Sequence, residues 1–260
     1  MSAALVEAGV KESVATLTIN RPSRANALDH EITDALLDAV RALKGDARVR
    51  CLVLTGAGSS FSAGGDVATI QAMRADPGLR AKVLSAHTDL FWELLRLPFP
   101  SIAAVNGAAV GAGCTVALLC DLVVMAEDAS LSDPRVALGL LDGAGGLVLW
   151  PLLTSLSAAR EHLLLGDRVS APEAHRLGLA NRVVSPDELL EQVTALAQRL
   201  AALPPDAVQR VRSLLNEHVE RAAAALPRCA EAELACFDSD EHADRVQRLR
   251  LRLQTKSDAG

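Results

Sequence analysis

The sequence lacks the features that mark several common classes of protein. Acidic and basic residues are interspersed, no long basic run occurs, and the net charge is −6, which argues against nucleic acid or an anionic membrane as the main partner. The longest apolar runs contain Gly or Asp and are too short to span a membrane. The first residues, MSAALVEAGVKES, have no basic segment ahead of an apolar one, so we expect no secretory signal peptide and a cytoplasmic protein.

Cysteine and histidine form no pattern that indicates a disulfide or a metal site. The five cysteines include no CxxC pair, so we expect free thiols in a reducing compartment. The six histidines are scattered along the chain, and we expect no bound metal. The sequence also contains neither a dinucleotide fingerprint nor a GxxxxGKS/T phosphate loop. We therefore expect no separate cofactor.

What the sequence does contain is an alternation of strands and helices. Half of the residues are apolar and 22% are charged, as in a soluble globular protein. From about residue 187 onward only helical patterns occur. Strands that alternate with helices predict an α/β fold with strands buried on both faces. Apolar periodicity places strands at 13–20, 51–56, 102–107 and 121–126, and helices at 32–43 and 79–96.

Two glycine-rich turns follow predicted strands, FSAGGDV at 61–67 and GAGC at 111–114. Each one taken alone favours a structural turn, because glycine is the default residue for tight turns. Taken together, they can bring two backbone N–H groups from separate loops to a single oxygen atom. Such a pair is an oxyanion hole, a device that stabilises negative charge on a carbonyl oxygen during a reaction.

These turns belong to a longer resemblance. NRPSRANAL, FSAGGDV, the segment from IAAVNG to LLDGAGG, and GDRVSAPEAHRLGLANRVV resemble the enoyl-CoA hydratase/isomerase, or crotonase, family in order and spacing. The resemblance implies a spiral of ββα units with a C-terminal helical region. It divides the chain into an acyl-CoA-binding core at 1–200 and a helical oligomerisation region at 201–260. It also implies an acyl-CoA thioester as ligand and a homotrimer or hexamer, and apolar stripes on the tail helices favour such an assembly.

The resemblance also implies positions for the site residues. The N–H groups of Gly65 and Ala112 form the oxyanion hole, which holds the thioester carbonyl and its enolate. The implied substrate-binding positions are Arg24, Ala25 and Ala27 in the adenine loop, then Ala63, Gly64, Gly65, Asp66 and Val67, then Gly111, Ala112 and Thr115, and finally Pro134, Arg135 and Leu138.

The sequence departs from the family where hydratases carry two catalytic glutamates. The positions of those glutamates hold Thr115, after GC, and Arg135, in DPR. Threonine has no useful pKa near neutrality and arginine stays protonated, so neither residue is a general base. The standard hydration with two glutamates is therefore not expected. The leading hypothesis remains an enzyme that stabilises a thioester enolate, and a catalytically silent acyl-CoA-binding member of the family is the alternative.

Asp142, in GLLDGAGG, is the group that we expect to replace the missing glutamates. It matches the aspartate of the naphthoate-synthase-like branch, so ring closure or hydrolysis of a β-keto thioester is a further possibility. An aspartate ahead of a helix is equally well explained as an N-cap. The two roles make opposite demands. A working base needs few N–H partners, whereas a cap accepts hydrogen bonds from the following turn.

Overall fold

A computed structural model describes residues 4–257 of the chain, without the side chains of residues 250 and 252–257. The strands observed in this range are β1 Val6–Lys11, β2 Val14–Ile19, β3 Cys51–Gly56, β4 Ser60–Ser62, β5 Ser101–Val105, β6 Ala108–Val110, β7 Leu122–Ala126, β8 Ser130–Ser132, β9 Val169–Ser170 and β10 Arg182–Val184. The helices are α1 His30–Lys44, α2 Val67–Ala75, α3 Pro77–Leu95, α4 Ala112–Leu118, α5 Gly146–Leu153, α6 Leu156–Leu165, α7 Ala171–Leu177, α8 Leu189–Ala201, α9 Pro205–Ala223, α10 Leu226–Phe237 and α11 Asp240–Ser257.

The strands form two sheets. The larger has six strands in the order β1-β2-β3-β5-β7-β10, and the smaller has four in the order β4-β6-β8-β9. Along the chain, a strand of the large sheet is followed by a strand of the small sheet and then by a helix, in the runs β3-β4-α2, β5-β6-α4 and β7-β8-α5. This arrangement confirms the predicted spiral of ββα units.

The central strands of the large sheet are parallel and buried on both faces, as their unbroken apolar runs predict. Strand β3 pairs in parallel with β2 and β5, and β5 pairs in parallel with β7. All six residues of β3 and all five of β5 are buried. Because β4 and β6 pair in parallel in the small sheet, the turns that follow them lie at the same edge of that sheet.

Helices α9 to α11 fold back onto the core. Arg212 of α9 is buried, and its guanidinium donates hydrogen bonds to the carbonyl oxygens of Leu94, Leu95 and Leu97 and to the carboxylate of Asp121. Helix α11 packs against α2 and against the 3-10 turn at Pro134–Leu138. The predicted C-terminal helical region is therefore present, and it covers one side of the core. Residues 1–3 and 258–260 of the two predicted regions lie outside the described residues.

Residues 4–257 contain neither a long apolar helix nor a cluster of metal-ligating side chains. None of the helices described there is long and apolar enough to cross a bilayer. Among the same residues, no group of three or more His, Cys, Asp and Glu side chains is arranged to hold a metal ion.

Candidate active site

A cavity of about 220 Å³ lies between the two glycine-rich turns and the helices that cover them. Most of the predicted substrate-binding residues line it. From the list implied by the resemblance, the lining includes Ala63, Gly64, Gly65, Asp66, Val67, Gly111, Ala112, Pro134, Arg135 and Leu138. Its apolar wall comes largely from residues outside that list, namely Leu28, Ile70, Met73, Val83, Leu84, Val110, Leu140, Phe237 and Leu249.

The two turns approach so closely that glycine is required. Gly64 has φ +79°, and a Cβ added to it would lie 2.3 Å from the carbonyl oxygen of Val110 and 3.5 Å from the amide nitrogen of Ala112. Gly111 has φ +51°, a backbone conformation that residues other than glycine rarely adopt. These glycines place the backbone of one turn against the backbone of the other.

The N–H groups of Gly65 and Ala112 are the two candidate donors of the oxyanion hole. Ala112 is the first residue of α4, so its N–H has no acceptor inside the helix. Gly65 forms an isolated bridge with Leu28, whose own N–H donates to the carbonyl of Gly64 at 2.7 Å. Within residues 4–257, neither the N–H of Gly65 nor that of Ala112 donates a hydrogen bond to any acceptor. Both residues line the same cavity.

Thr115 and Arg135, which the resemblance predicts to stand in place of the two glutamates, form a closed polar cluster with Asp142. Arg135 makes a two-pronged ion pair with Asp142, with Nη1 2.8 Å from Oδ1 and Nη2 2.8 Å from Oδ2. The hydroxyl of Thr115 donates to Oδ2 of Asp142 at 2.8 Å. The Arg135 Nε donates to Oδ1 of Asp133 at 2.8 Å. Thr115, Arg135 and Asp142 line a small void of about 20 Å³ beside the main cavity.

Asp142 also accepts hydrogen bonds from the backbone of the turn that follows it. The N–H of Ala144 donates to Oδ1 at 2.7 Å, and the N–H of Gly146, the first residue of α5, donates to Oδ2 at 2.5 Å. Burial alone raises the pKa of Asp142, but the ion pair with Arg135 and these hydrogen bonds hold it below its ordinary value. A carboxylate with this many partners satisfies the demands of a cap and not those of a working base.

Arg24, Ala25 and Ala27, which the resemblance predicts to form the adenine loop, do not line the main cavity. Arg24 is exposed, and its guanidinium forms an ion pair with Asp66 at 3.2 Å. Ala25 has φ +48° and accepts a hydrogen bond from the N–H of Ala63 at 2.8 Å, while Ala27 is buried. The loop is thus fastened to the first glycine-rich turn, with Arg24 at its solvent side.

Two titratable residues outside the predicted set also line the main cavity. His87 of α3 has a buried Nε2 without a hydrogen-bond partner, and burial lowers its pKa to about 4. Glu233 of α10 is only 6% exposed, and burial raises its pKa to about 8. The sequence did carry a signal for Glu233. It lies on the buried face of α10 with Leu226 and Phe237, where a charged residue interrupts an apolar helical period.

Comparison with known proteins identifies the family of the chain. The model of the family described as enoyl-CoA hydratase/isomerase matches residues 9–256. The chain is 37% identical to the crotonyl-CoA hydratase of Syntrophomonas wolfei over 212 residues, which cover 81% of this chain and 80% of that protein. It is 35% identical to the 1,2-epoxyphenylacetyl-CoA isomerase of Escherichia coli, with 80% of each chain covered.

A solved structure gives the same result for the fold. The crystal structure of an enoyl-CoA hydratase/isomerase from Mycobacterium paratuberculosis superimposes with a TM-score of 0.90 at 37% identity. The match covers 94% of this chain and 98% of that one. The family model spans nearly the whole chain, and the fold and the relatives agree with it. The chain therefore belongs to the enoyl-CoA hydratase/isomerase family.

Proposed function

We propose that this protein binds an acyl-CoA thioester and stabilises the enolate of that thioester between the N–H groups of Gly65 and Ala112. The observation that carries the proposal is the pair of N–H groups without another acceptor, which two separate turns bring to one cavity. When a proton leaves the carbon next to the thioester carbonyl, negative charge moves to the carbonyl oxygen. Two preorganised donors at that oxygen stabilise the charge, and each is worth roughly 10²–10³ in rate.

Coenzyme A enters this proposal as part of the substrate, and no separate cofactor is required. Arg24 at the rim of the site supplies a positive charge for the phosphates of the nucleotide. The apolar wall of the cavity, which includes Met73, Val83 and Phe237, suits the acyl chain. Among the names of the relatives, hydration and isomerisation both occur. For this chain we propose chemistry that begins with proton transfer rather than standard hydration, because Thr115 and Arg135 replace the two glutamates.

Two other functions receive less support from the geometry. Ring closure or β-keto thioester hydrolysis through Asp142 requires a carboxylate free to move a proton, whereas Asp142 is held by Arg135, Thr115 and two backbone N–H groups. A catalytically silent acyl-CoA-binding protein is the stronger rival. It is favoured by the same closed cluster, which leaves no base at the two glutamate positions.

We also propose a homotrimer or hexamer in the cytoplasm, with the helical region at 201–260 contributing to assembly. Support comes from a groove of about 680 Å³ between α9 and the core. Leu203, Val211 and Leu215 line this groove and are mostly exposed, a pattern typical of surfaces that a partner covers. Sedimentation velocity at micromolar concentration tests the proposal, and a monomer would contradict it.

The oxyanion hole is tested with a matched pair of variants at one position. Ala112→Pro removes one N–H at the first residue of a helix, where proline is well tolerated, and Ala112→Gly keeps the N–H. Hydrogen bonds to a charged oxygen contribute about 1.5–3 kcal/mol. Calorimetry should therefore show the enolate-forming ligand acetoacetyl-CoA binding about tenfold or more weakly to Ala112→Pro, with binding to Ala112→Gly unchanged.

The wild-type protein is tested for both binding of acetoacetyl-CoA and hydration of crotonyl-CoA. Binding of acetoacetyl-CoA with little or no hydration of crotonyl-CoA is the expected result. Absence of binding would contradict the proposal as a whole. Rapid hydration of crotonyl-CoA would contradict the inference drawn from Thr115 and Arg135.

A further inference from the structure

One carboxyl group in the main cavity has no part in the oxyanion hole or in the closed cluster. Glu233 lies on the face of α10 that packs against the core, and it is nine-tenths buried. Its Oε2 accepts the N–H of Gly143 at 3.1 Å. Its Oε1 accepts no hydrogen bond from the described residues. Glu233 lines the cavity together with Gly65 and Ala112.

The charged surroundings of Glu233 explain why this carboxyl differs from that of Asp142. Burial raises the pKa of Glu233 to about 8, Arg135 lowers it in part, and Asp142 and Asp133 add to the rise. Cys229 and Cys236 lie on the same helix, and the pKa of each thiol is raised by burial. His87, which also lines the cavity, is the neutral imidazole at neutral pH, because burial lowers its pKa to about 4.

These facts give the carboxyl of Glu233 a protonation equilibrium close to neutral pH. Asp133, Asp142 and Glu233 surround the single guanidinium of Arg135, which cannot neutralise three carboxylates at once. Asp142 takes the two-pronged ion pair and stays ionised. Glu233 accepts one hydrogen bond, from the N–H of Gly143, and otherwise faces the cavity. With a pKa of about 8, its neutral and ionised forms are therefore both accessible near neutral pH.

We propose that Glu233 is the catalytic carboxyl that moves a proton between carbons of the bound acyl chain. The inference rests on the proposed function, because it needs the enolate that Gly65 and Ala112 stabilise. The C-terminal helical region thereby supplies a reacting group to the site. The substrate class follows from the chemistry of a single proton carrier, which suits migration of a double bond in an enoyl thioester.

The reaction balances with one carboxyl and no water. The carboxylate of Glu233 takes a proton from C2 of a 3-enoyl thioester, and the electron pair of the broken C–H bond moves into the thioester. The carbonyl oxygen becomes an enolate oxygen, held by the two N–H groups. The neutral carboxyl exchanges its proton with solvent while the enolate is held, and then protonates C4 as the double bond shifts to C2–C3 and the carbonyl re-forms. Protonation at C2 instead regenerates the substrate, so that in D2O both product and recovered substrate carry the label. Glu233 ends in the state in which it began.

Two other groups in the cavity are less suited to this role. His87 has a lowered pKa of about 4, so it is a weak base and does not hold an abstracted proton at neutral pH. Arg135 is fixed to Asp133 and Asp142, and a guanidinium is not a base. Glu233 is the carboxyl among the described lining residues that combines burial, a raised pKa and an unengaged oxygen.

The test follows deuterium incorporation into trans-3-hexenoyl-CoA in D2O by mass spectrometry, with isomerisation read from the same samples. Glu233→Gln keeps the shape of the side chain and an acceptor for the N–H of Gly143 but removes proton transfer. Glu231→Gln changes an exposed carboxylate of the same helix and is the matched control. General acid–base catalysis contributes about 10²–10⁴-fold.

We expect Glu233→Gln to lower the rate of deuterium incorporation by about 10²-fold or more, with acetoacetyl-CoA binding retained. Glu231→Gln should match the wild type. Undiminished incorporation in Glu233→Gln would overturn the inference and leave the proposed function intact. Binding with neither incorporation nor isomerisation in the wild type would also overturn it, in favour of the silent binding protein. Failure of the wild type to bind either thioester would reject the proposed function itself.

Discussion

Asp142 and Glu233 are buried carboxyl groups, and the positive charge of Arg135 lowers the pKa of both. Their hydrogen-bond partners differ. Asp142 follows the small sheet and accepts hydrogen bonds from Arg135, Thr115 and two backbone N–H groups. Glu233 arrives on a helix of the C-terminal region and accepts one backbone hydrogen bond. The pKa of Asp142 is held below its ordinary value, whereas burial raises that of Glu233 to about 8.

The difference teaches that proximity to a cationic side chain does not make a carboxyl reactive. Arg135 lowers the pKa of both groups, but only Asp142 receives enough donors to offset the cost of burial. The ionised, fully bonded carboxylate of Asp142 has a structural role, since it holds the turn that leads into α5. The carboxyl of Glu233, which accepts a single hydrogen bond, stays largely protonated near neutral pH and can exchange that proton. Similar pairs, with pKa values pushed apart by their surroundings, divide acid and base roles in many enzymes.

Removing Arg135 should have the largest effect on this pair. Arg135→Met leaves Asp142 as a buried charge without its ion-pair partner, and breaking such a pair costs about 3–5 kcal/mol. For a domain of this size, the melting temperature should fall by on the order of 10 °C. Differential scanning calorimetry checks this. Arg176→Met, which removes an exposed arginine paired with Glu173, is the control and should leave the melting temperature nearly unchanged.

The second prediction concerns the pH dependence of stability. Glu233 has a raised pKa in the folded state, so its contribution to stability is fully present below about pH 4.5 and is lost as pH rises through about 8. Glu233→Gln removes this dependence. The variant should gain stability over the wild type as pH rises from 5 to 8, by on the order of a few kcal/mol at pH 8. Parallel pH dependences for the two proteins in urea unfolding would contradict the burial of an ionisable Glu233.

The third prediction concerns Asp142 itself. Asp142→Asn removes the charge that pairs with Arg135 but keeps an acceptor for the turn. Because hydrogen bonds to charged groups contribute about 1.5–3 kcal/mol, we expect a loss of about 2 kcal/mol in the free energy of unfolding. Denaturant titration measures this loss. An unchanged stability would show that the cap and the ion pair contribute nothing to folding.

The smallest effect is expected at Thr115. Thr115→Val keeps the shape of the side chain and removes the hydroxyl that donates to Asp142 at 2.8 Å. Asp142 keeps its other partners, so the free energy of unfolding should fall by about 1 kcal/mol. Thr69→Val, which removes a partly buried hydroxyl that lies 3.4 Å from the carboxylate of Asp66, is a matched comparison on α2. A loss at Thr115 equal to that of Arg135→Met would mean that the hydroxyl, not the guanidinium, holds Asp142 in place.

Much of the site could be predicted from local sequence. The glycine pattern around Gly64 and Gly111 reflects turns that accept no other residue, and apolar runs such as that of β3 mark strands buried on both faces. The departures at Thr115 and Arg135 follow from the resemblance to the family and stay a prediction. For Asp142 the sequence allowed both a base and a cap. Only the tertiary contacts with Arg135 and the turn favour the cap.

Glu233 could not be recognised as a site residue from its neighbours in sequence. The stretch LPRCAEAELACF forms an amphipathic helix, and several acidic residues lie in and around it. Which of these becomes buried depends on how α10 and α11 fold back over the glycine-rich turns, a contact between segments far apart in the chain. A charged residue on the apolar face of a helix indicates locally that it is buried. Which cavity it lines depends on contacts between distant segments, and its neighbours in sequence do not predict those contacts.

The measurement that most directly separates the two carboxyl groups is the pH profile of C2 deuterium exchange in wild type, Asp142→Asn and Glu233→Gln, recorded below their melting temperatures. The wild-type rate should rise as pH approaches 8, the pKa of Glu233. Asp142→Asn should keep the exchange and move the rise to lower pH, because the charge of Asp142 raises the pKa of Glu233. Glu233→Gln should be slow at every pH. Exchange that survives in Glu233→Gln but is lost in Asp142→Asn would contradict the assignment of proton transfer to Glu233.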